Sequence, residues 1–175
     1  MERQLGAKVT WLPFDLHPEY PPEGLPRAQL LARYGPAMTE QTRAFFAARG
    51  LDYNPNLDVV PNSMRAQQLT ELARDLGRHE AVHDRIMDAY CGEAQNIGDP
   101  DVLRRLAAEL ELPEGDVEDV LTTDRYRNEI VESTRQAASV GANAVPAFVL
   151  DRRLLVLGAQ PDNVFEQAFA RLETA

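Results

Sequence analysis

The sequence predicts an α/β domain carrying an all-helical insertion of roughly 100 residues. Three observations point there. Strand-like patterning occurs near the N-terminus and again after Gly141, with helical patterning between. Eight of the twelve prolines lie at or before Pro61, which leaves the middle of the chain free to be helical. Finally, 175 residues, 44% of them hydrophobic, suffice for one core with an insertion and argue against disorder.

The elements follow in order. Lys8–Leu16 reads as a strand, because its β-branched and aromatic residues suit a sheet; Pro13 marks a bulge or an edge. His17–Gly24 is a Pro-rich loop. Helices are expected over Pro26–Tyr34 and Thr39–Arg49, the second stopped by Gly50. After a loop to Pro61, Asn62 caps a helix over Ser63–Leu76 that ends at Gly77. A further helix spans Arg78–Gly92. Asp99-Pro100-Asp101 combines a capping acid, a first-turn proline and a first-turn acid, and opens a helix to Leu110. Gly115–Leu121 and Asp124–Ser139 are helical, with Gly141 as the terminator.

The period then changes. Ala147–Leu150 and Leu154–Leu157 flank Asp151-Arg152-Arg153 as a hairpin of buried strands. A last helix starts at Gln160-Pro161-Asp162. It carries Val164, Phe165, Ala168, Phe169 and Leu172 on one face. Trp11, Phe14, Phe165 and Phe169 are expected in the core.

Charge narrows the function classes. The formal net charge is −10, which disfavours binding to phosphate backbones and anionic lipid, so neither a nucleic-acid nor a membrane partner is expected. No apolar run approaches a membrane span, and Met1–Gly6 has no signal-peptide character, so the expected compartment is the cytoplasm. The single cysteine, Cys91, excludes an internal disulfide, a Cys-x-x-Cys pair and a thiolate zinc cage within these residues. Its place near a helix end, beside Asp88 and Glu93, favours an unreactive thiol.

Two motifs could carry chemistry. His79-Glu80-Ala81-Val82-His83 is H-E-x-x-H on a helix. It puts two imidazoles on one face for zinc, with Glu80 as general base. A zinc hydrolase needs a third ligand, for which Glu129 is the candidate. Positions 86 and 89, where the extended motif would continue, are Ile and Ala, and the flanks are charged, so a solvent-facing helix with two surface histidines is the simpler reading. The second feature is Val145-Pro146, a proline just ahead of a buried strand and after a small-residue loop. Such a site suits a cis peptide, and its backbone could pair with an extended substrate as an added strand.

Ser139–Asp151 followed by Leu157–Pro161 resembles the C-terminal half of thioredoxin-like domains. Over residues 7–172 the chain resembles the DsbA family of thiol oxidoreductases. The likeness is to its FrnE-like branch, related to 2-hydroxychromene-2-carboxylate isomerases and kappa-class glutathione transferases. The landmarks run in order: Val9–Pro18, Pro21–Gly24, Asn62–Ala66, Asn96–Leu103, Val145-Pro146 and Gly158–Pro161.

The resemblance implies a thioredoxin-like domain over 1–25 and 140–175, with residues 26–139 as its helical insertion. It implies a thiol or disulfide-containing protein, or a small thiol, as partner, no cofactor, and a cis-proline loop at Val145 and Pro146 that binds substrate. It also places the H-E-x-x-H segment on a plain insertion helix.

One departure stands out. Met1–Gly6 resembles only the tail of the family's active-site helix, so the first strand and its Cys-x-x-Cys have no counterpart here. The expectation is an N-terminally truncated thioredoxin-like domain without redox activity and with no catalytic residue. A misassigned start, an artificial shortening and a genuine loss all remain open. The implied missing strand lies between Lys8–Leu16 and the strand after Pro146, leaving a gap or forcing those two to pair. The alternatives are the zinc hydrolase and a non-enzymatic binding module, the latter as a homodimer that repairs the sheet by exchanging strands.

Overall fold

The computed structural model describes residues 6–35 and 37–173. The expectation placed on Met1–Gly6 therefore falls almost wholly outside the described residues. The chain forms two compact units: the described residues of Met1–Leu16 with Glu129–Ala175, and His17–Asn128.

The second unit is helical. A short strand β1 (Leu25–Pro26) leads into α1 (Arg27–Tyr34) and α2 (Ala37–Ala47). Strand β2 (Val59–Val60) returns to pair antiparallel with β1, Leu25 opposite Val60. Next come α3 (Met64–Asp75), α4 (His79–Met87) running into a π-helical turn at Asp88–Gly92, α5 (Pro100–Glu109) and α6 (Glu114–Thr122).

Helix α3 is the axis of this unit and packs on α4, α5 and α6. Its Leu69, Leu72 and Ala73 are almost fully enclosed, alongside Val82, Leu103, Leu106 and Val120. Each such leucine supports the unit by about 2–5 kcal/mol relative to alanine. The helix starts as its sequence dictates: Asn62 Oδ1 accepts from the Met64 N–H at 3.0 Å, while Asn62 Nδ2 donates to the Tyr20 carbonyl at 2.8 Å. One amide thus caps α3 and ties the Pro-rich loop to it. Helix α5 opens the same way, with Asp99 Oδ1 accepting from the Asp101 N–H at 2.9 Å and Pro100 in the first turn.

In the first unit, α7 (Arg127–Ser139) begins two residues before the unit boundary; hairpin β3 (Ala147–Leu150) and β4 (Leu154–Leu157) follow, then α8 (Asp162–Glu173). The register sets Ala147 opposite Leu157 and Leu150 opposite Leu154. Asp151 and Arg152 both have positive φ, and the Arg153 N–H closes on the Leu150 carbonyl at 3.0 Å, a type I′ turn. Phe148 meets Phe165 of α8 edge-on, ring centroids 4.9 Å apart.

The expected strand Lys8–Leu16 is not formed among the described residues: the segment is extended, and no described strand pairs with it. A strand needs a ladder partner, and here side chains of α7 take that role. Ser133 Oγ donates to the Pro13 carbonyl at 2.7 Å, and the Asp15 N–H donates to Thr134 Oγ1 at 2.8 Å. Without a sheet over it Trp11 is 54% exposed and is not a core residue, whereas Phe165 is buried and Phe14 and Phe169 partly so. The β1–β2 pair and the π-turn were not anticipated.

Candidate functional site

The loop from Val140 to Pro146 joins α7 to β3. Its start is fixed by a helix stop in which the Ala142 N–H reaches the Ala137 carbonyl at 3.0 Å, with Gly141 at φ +88°. Its end is fixed by the Pro146 carbonyl, which accepts from the Gly158 N–H at 2.8 Å. Beyond Gly158, Gln160 Nε2 donates to the Leu157 carbonyl at 2.7 Å and holds the turn into α8. The Val145-Pro146 peptide bond is cis.

Between those anchors Val145 is left free. Its side chain is half exposed, and neither its N–H nor its C=O has a hydrogen-bond partner among the described residues. The Pro146 and Leu150 carbonyls point toward β4, so by antiparallel alternation the backbone groups of Ala147 and Val149 face the other edge. Among the described residues no strand covers that edge. The arrangement can accept an extended segment through main-chain hydrogen bonds, with the exposed Val145 and Val149 side chains beside it.

Cys91 lies in the other unit, in the π-turn after α4. Its thiol is pushed up from its ordinary value chiefly by burial, and secondarily by the Asp88 carboxylate. A raised thiol is a poor nucleophile near neutral pH. The direction matches the sequence reading, but burial, not charge, is the leading cause.

The His79 and His83 rings stack with centroids 5.8 Å apart and planes nearly parallel. Burial pushes His79 down, with the Arg74 guanidinium acting the same way. Glu80 is exposed, and Glu129 is exposed in the first unit. Among the described residues no three His, Cys, Asp or Glu side chains converge as a metal would require, so the zinc-hydrolase reading has no geometric support. Among the described residues, no helix is long and apolar enough to cross a membrane.

Sequence reasoning missed the polar side chains inside α3. Gln68 is 2% exposed, and Glu71, equally buried, is held bidentately by Arg74 at 2.7 and 3.2 Å. The signal was available, since polar residues at core positions of a helical pattern demand partners.

Comparisons with known proteins agree with this architecture. The model of the DSBA-like thioredoxin domain matches residues 1–170. Protein YwbO of Bacillus subtilis is 28% identical over 166 residues, 94% of this chain and 82% of its own. Among solved structures, the probable DsbA oxidoreductase SCO1869 of Streptomyces coelicolor superposes with a TM-score of 0.80 at 34% identity, over 90% of this chain and 72% of that one. The cytosolic disulfide reductase DsbM of Pseudomonas aeruginosa, solved with GSH, superposes with a TM-score of 0.51 at 29% identity, over 66% and 63%. The fold is the DsbA-like thioredoxin fold with a helical insertion, and the chain belongs to the DSBA-like thioredoxin domain family.

Proposed function

We propose that this chain serves thiol–disulfide chemistry as a substrate-binding DsbA-like protein, seating an extended thiol- or disulfide-bearing partner at Val145 and Pro146. The observation that carries the reading is that, among the described residues, the backbone of Val145 is unpaired at the head of a strand edge that no strand covers. A peptide laid there would gain main-chain hydrogen bonds without disturbing the hairpin. In this reading residues 1–25 and 140–175 are the thioredoxin-like part and 26–139 its insertion, on the FrnE-like branch. The likeness to DsbM, a cytosolic disulfide reductase solved with GSH, supports a cytoplasmic site and a small thiol as one candidate ligand.

The 175 residues hold one cysteine, and its thiol is raised rather than activated. A two-cysteine exchange cycle is therefore beyond these residues by themselves, and the role assigned is binding. The test is an NMR titration of the full chain with oxidised glutathione and, separately, with a short extended peptide holding a blocked cysteine. Saturable shifts centred on Val145–Phe148, lost in Val145→Asp, are expected for at least one ligand. Shifts that map elsewhere, or none, refute the site. Insulin-disulfide reduction should run at the rate of the reductant alone; protein-dependent turnover that survives Cys91→Ser overturns the binding-only role.

A further inference from the structure

The second unit contains a cleft of about 190 Å³ that the thiol reading does not use. It lies between the first turns of α3 and the turn joining α6 to α7, below the roughly 300–1,000 Å³ of drug-sized pockets. Its lining includes two arginines, Arg65 and Arg127, and one acidic residue, Asp124. A chain of net charge −10 repels anions in general, so a locally cationic recess is selective.

The two arginines have capacity to spare. Arg127 engages Asp124 through Nε at 2.6 Å, and its two Nη groups have no partner among the described residues. Among the described residues Arg65 reaches only the Gly98 carbonyl, at 3.5 Å, the outer limit of a hydrogen bond. Thr123 also lines the cleft, and its hydroxyl has no partner among the described residues.

An independent observation comes from Gln68. It lines the same cleft although it is 2% exposed. Its Oε1 accepts from the Tyr126 N–H at 3.1 Å, which fixes the amide orientation. The opposite end, Nε2, then presents a donor with no partner among the described residues. Because Gln68 lines the cleft and this nitrogen is not sealed from solvent, an acceptor bound there can take the bond in place of water.

We propose that this cleft binds a small oxyanion, carboxylate or phosphate, held by Arg65 and Arg127 and oriented by the Gln68 amide and the Thr123 hydroxyl. The planar fork of arginine suits both anions, and the amide adds direction. The proposal stands apart from Val145 and holds whether or not the binding role at the strand edge does.

Isothermal titration calorimetry of the full chain decides it, with inorganic phosphate and with malonate, each against chloride of matched ionic strength. One-site binding at about millimolar or tighter is expected for at least one anion. The tighter of the two identifies the headgroup. Arg65→Gln should weaken that binding about tenfold or more, since charge-assisted bonds are roughly twice as strong as neutral ones. Gln68→Leu should weaken it as well; if that variant does not fold, Arg65→Gln decides alone. No saturable heat beyond chloride up to about 10 mM, or binding unchanged in Arg65→Gln, overturns the proposal.

Discussion

Gly24→Ala tests how the helical unit is closed. Gly24 is buried where the Pro-rich loop meets β1 and β2, with φ +79°. Two independent costs arise from one methyl group. Alanine at this φ costs about 1 kcal/mol relative to glycine, because its Cβ crowds the following carbonyl. The new Cβ would also fall well inside contact distance of the Val60 carbonyl oxygen, 2.8 Å from Val59 Cγ2 and 3.2 Å from Pro61 Cα. Two of those neighbours are backbone atoms, which cannot rotate away, so β2 must shift; overpacking of this kind costs about 1–3 kcal/mol. The total is about 2–4 kcal/mol, or a fall in Tm of roughly 5–15 °C at this chain length. Gly77→Ala is the control: φ is +69° but nothing lies within 4 Å of its Cβ, so only the backbone cost applies. Differential scanning calorimetry of both variants separates the terms. Hydrogen exchange at the Arg27 N–H, bonded to the Asp58 carbonyl at 2.8 Å, reports the β1–β2 closure directly. A Gly24→Ala variant no less stable than Gly77→Ala, with Arg27 exchange unchanged, refutes the reasoning.

Three more outcomes follow from the geometry. Arg152→Gly should stabilise the chain by about 1 kcal/mol, because arginine sits at φ +55° in the type I′ turn; a lower urea midpoint would show that the turn is wrongly described. Arg74→Ala should cost about 2–4 kcal/mol and Glu71→Gln distinctly less, since only the first leaves a buried carboxylate without its guanidinium partner; equal urea midpoints would deny the pair its role. Burial raises the Cys91 thiol and the Tyr90 phenol above their ordinary values of 9.0 and 10.0, so both release protons more readily unfolded. Stability should be full below pH 9 and fall as pH rises past it, with Cys91→Ala flattening the first part of the fall; a Tm that rises from pH 8 to 10 contradicts this.

The helices were legible because each carries its own boundaries. Asp99, Pro100 and Asp101 define the start of α5 within three residues, and Gly50, Gly77 and Gly141 each end a helix where expected. The hairpin was legible for the same reason, its two strands and turn being contiguous, but its strands are not buried as expected: only Leu150 is, and Val149 and Leu157 are exposed. What failed was non-local. Lys8–Leu16 has strand composition, yet a strand exists only against a partner strand; none of the described strands lies beside it, and Ser133 and Thr134 bond its backbone at Pro13 and Asp15. The β1–β2 pair is two residues a side, too short for any alternation to reveal.

The sites divide along a similar line. H-E-x-x-H is the loudest pattern because its two imidazoles are set by one helix, but a metal needs a third ligand from elsewhere, and local spacing cannot supply convergence. The cis bond at Val145-Pro146 was legible because it belongs to a single loop, anchored by Gly141 at one end and Gly158 at the other. The oxyanion cleft draws Arg65, Thr123 and Arg127 from distant parts of the chain, and no short window contains it. Its one readable trace was Gln68, a polar residue at a core position of α3. Its oxygen is spoken for by the Tyr126 N–H, so its nitrogen is the part of the residue left to explain. The other buried polar side chains of α3, Thr70 and Glu71, are bonded within the helix, to the Ala66 carbonyl and to Arg74, so the Gln68 nitrogen is the polar group that the cleft leaves open to a ligand.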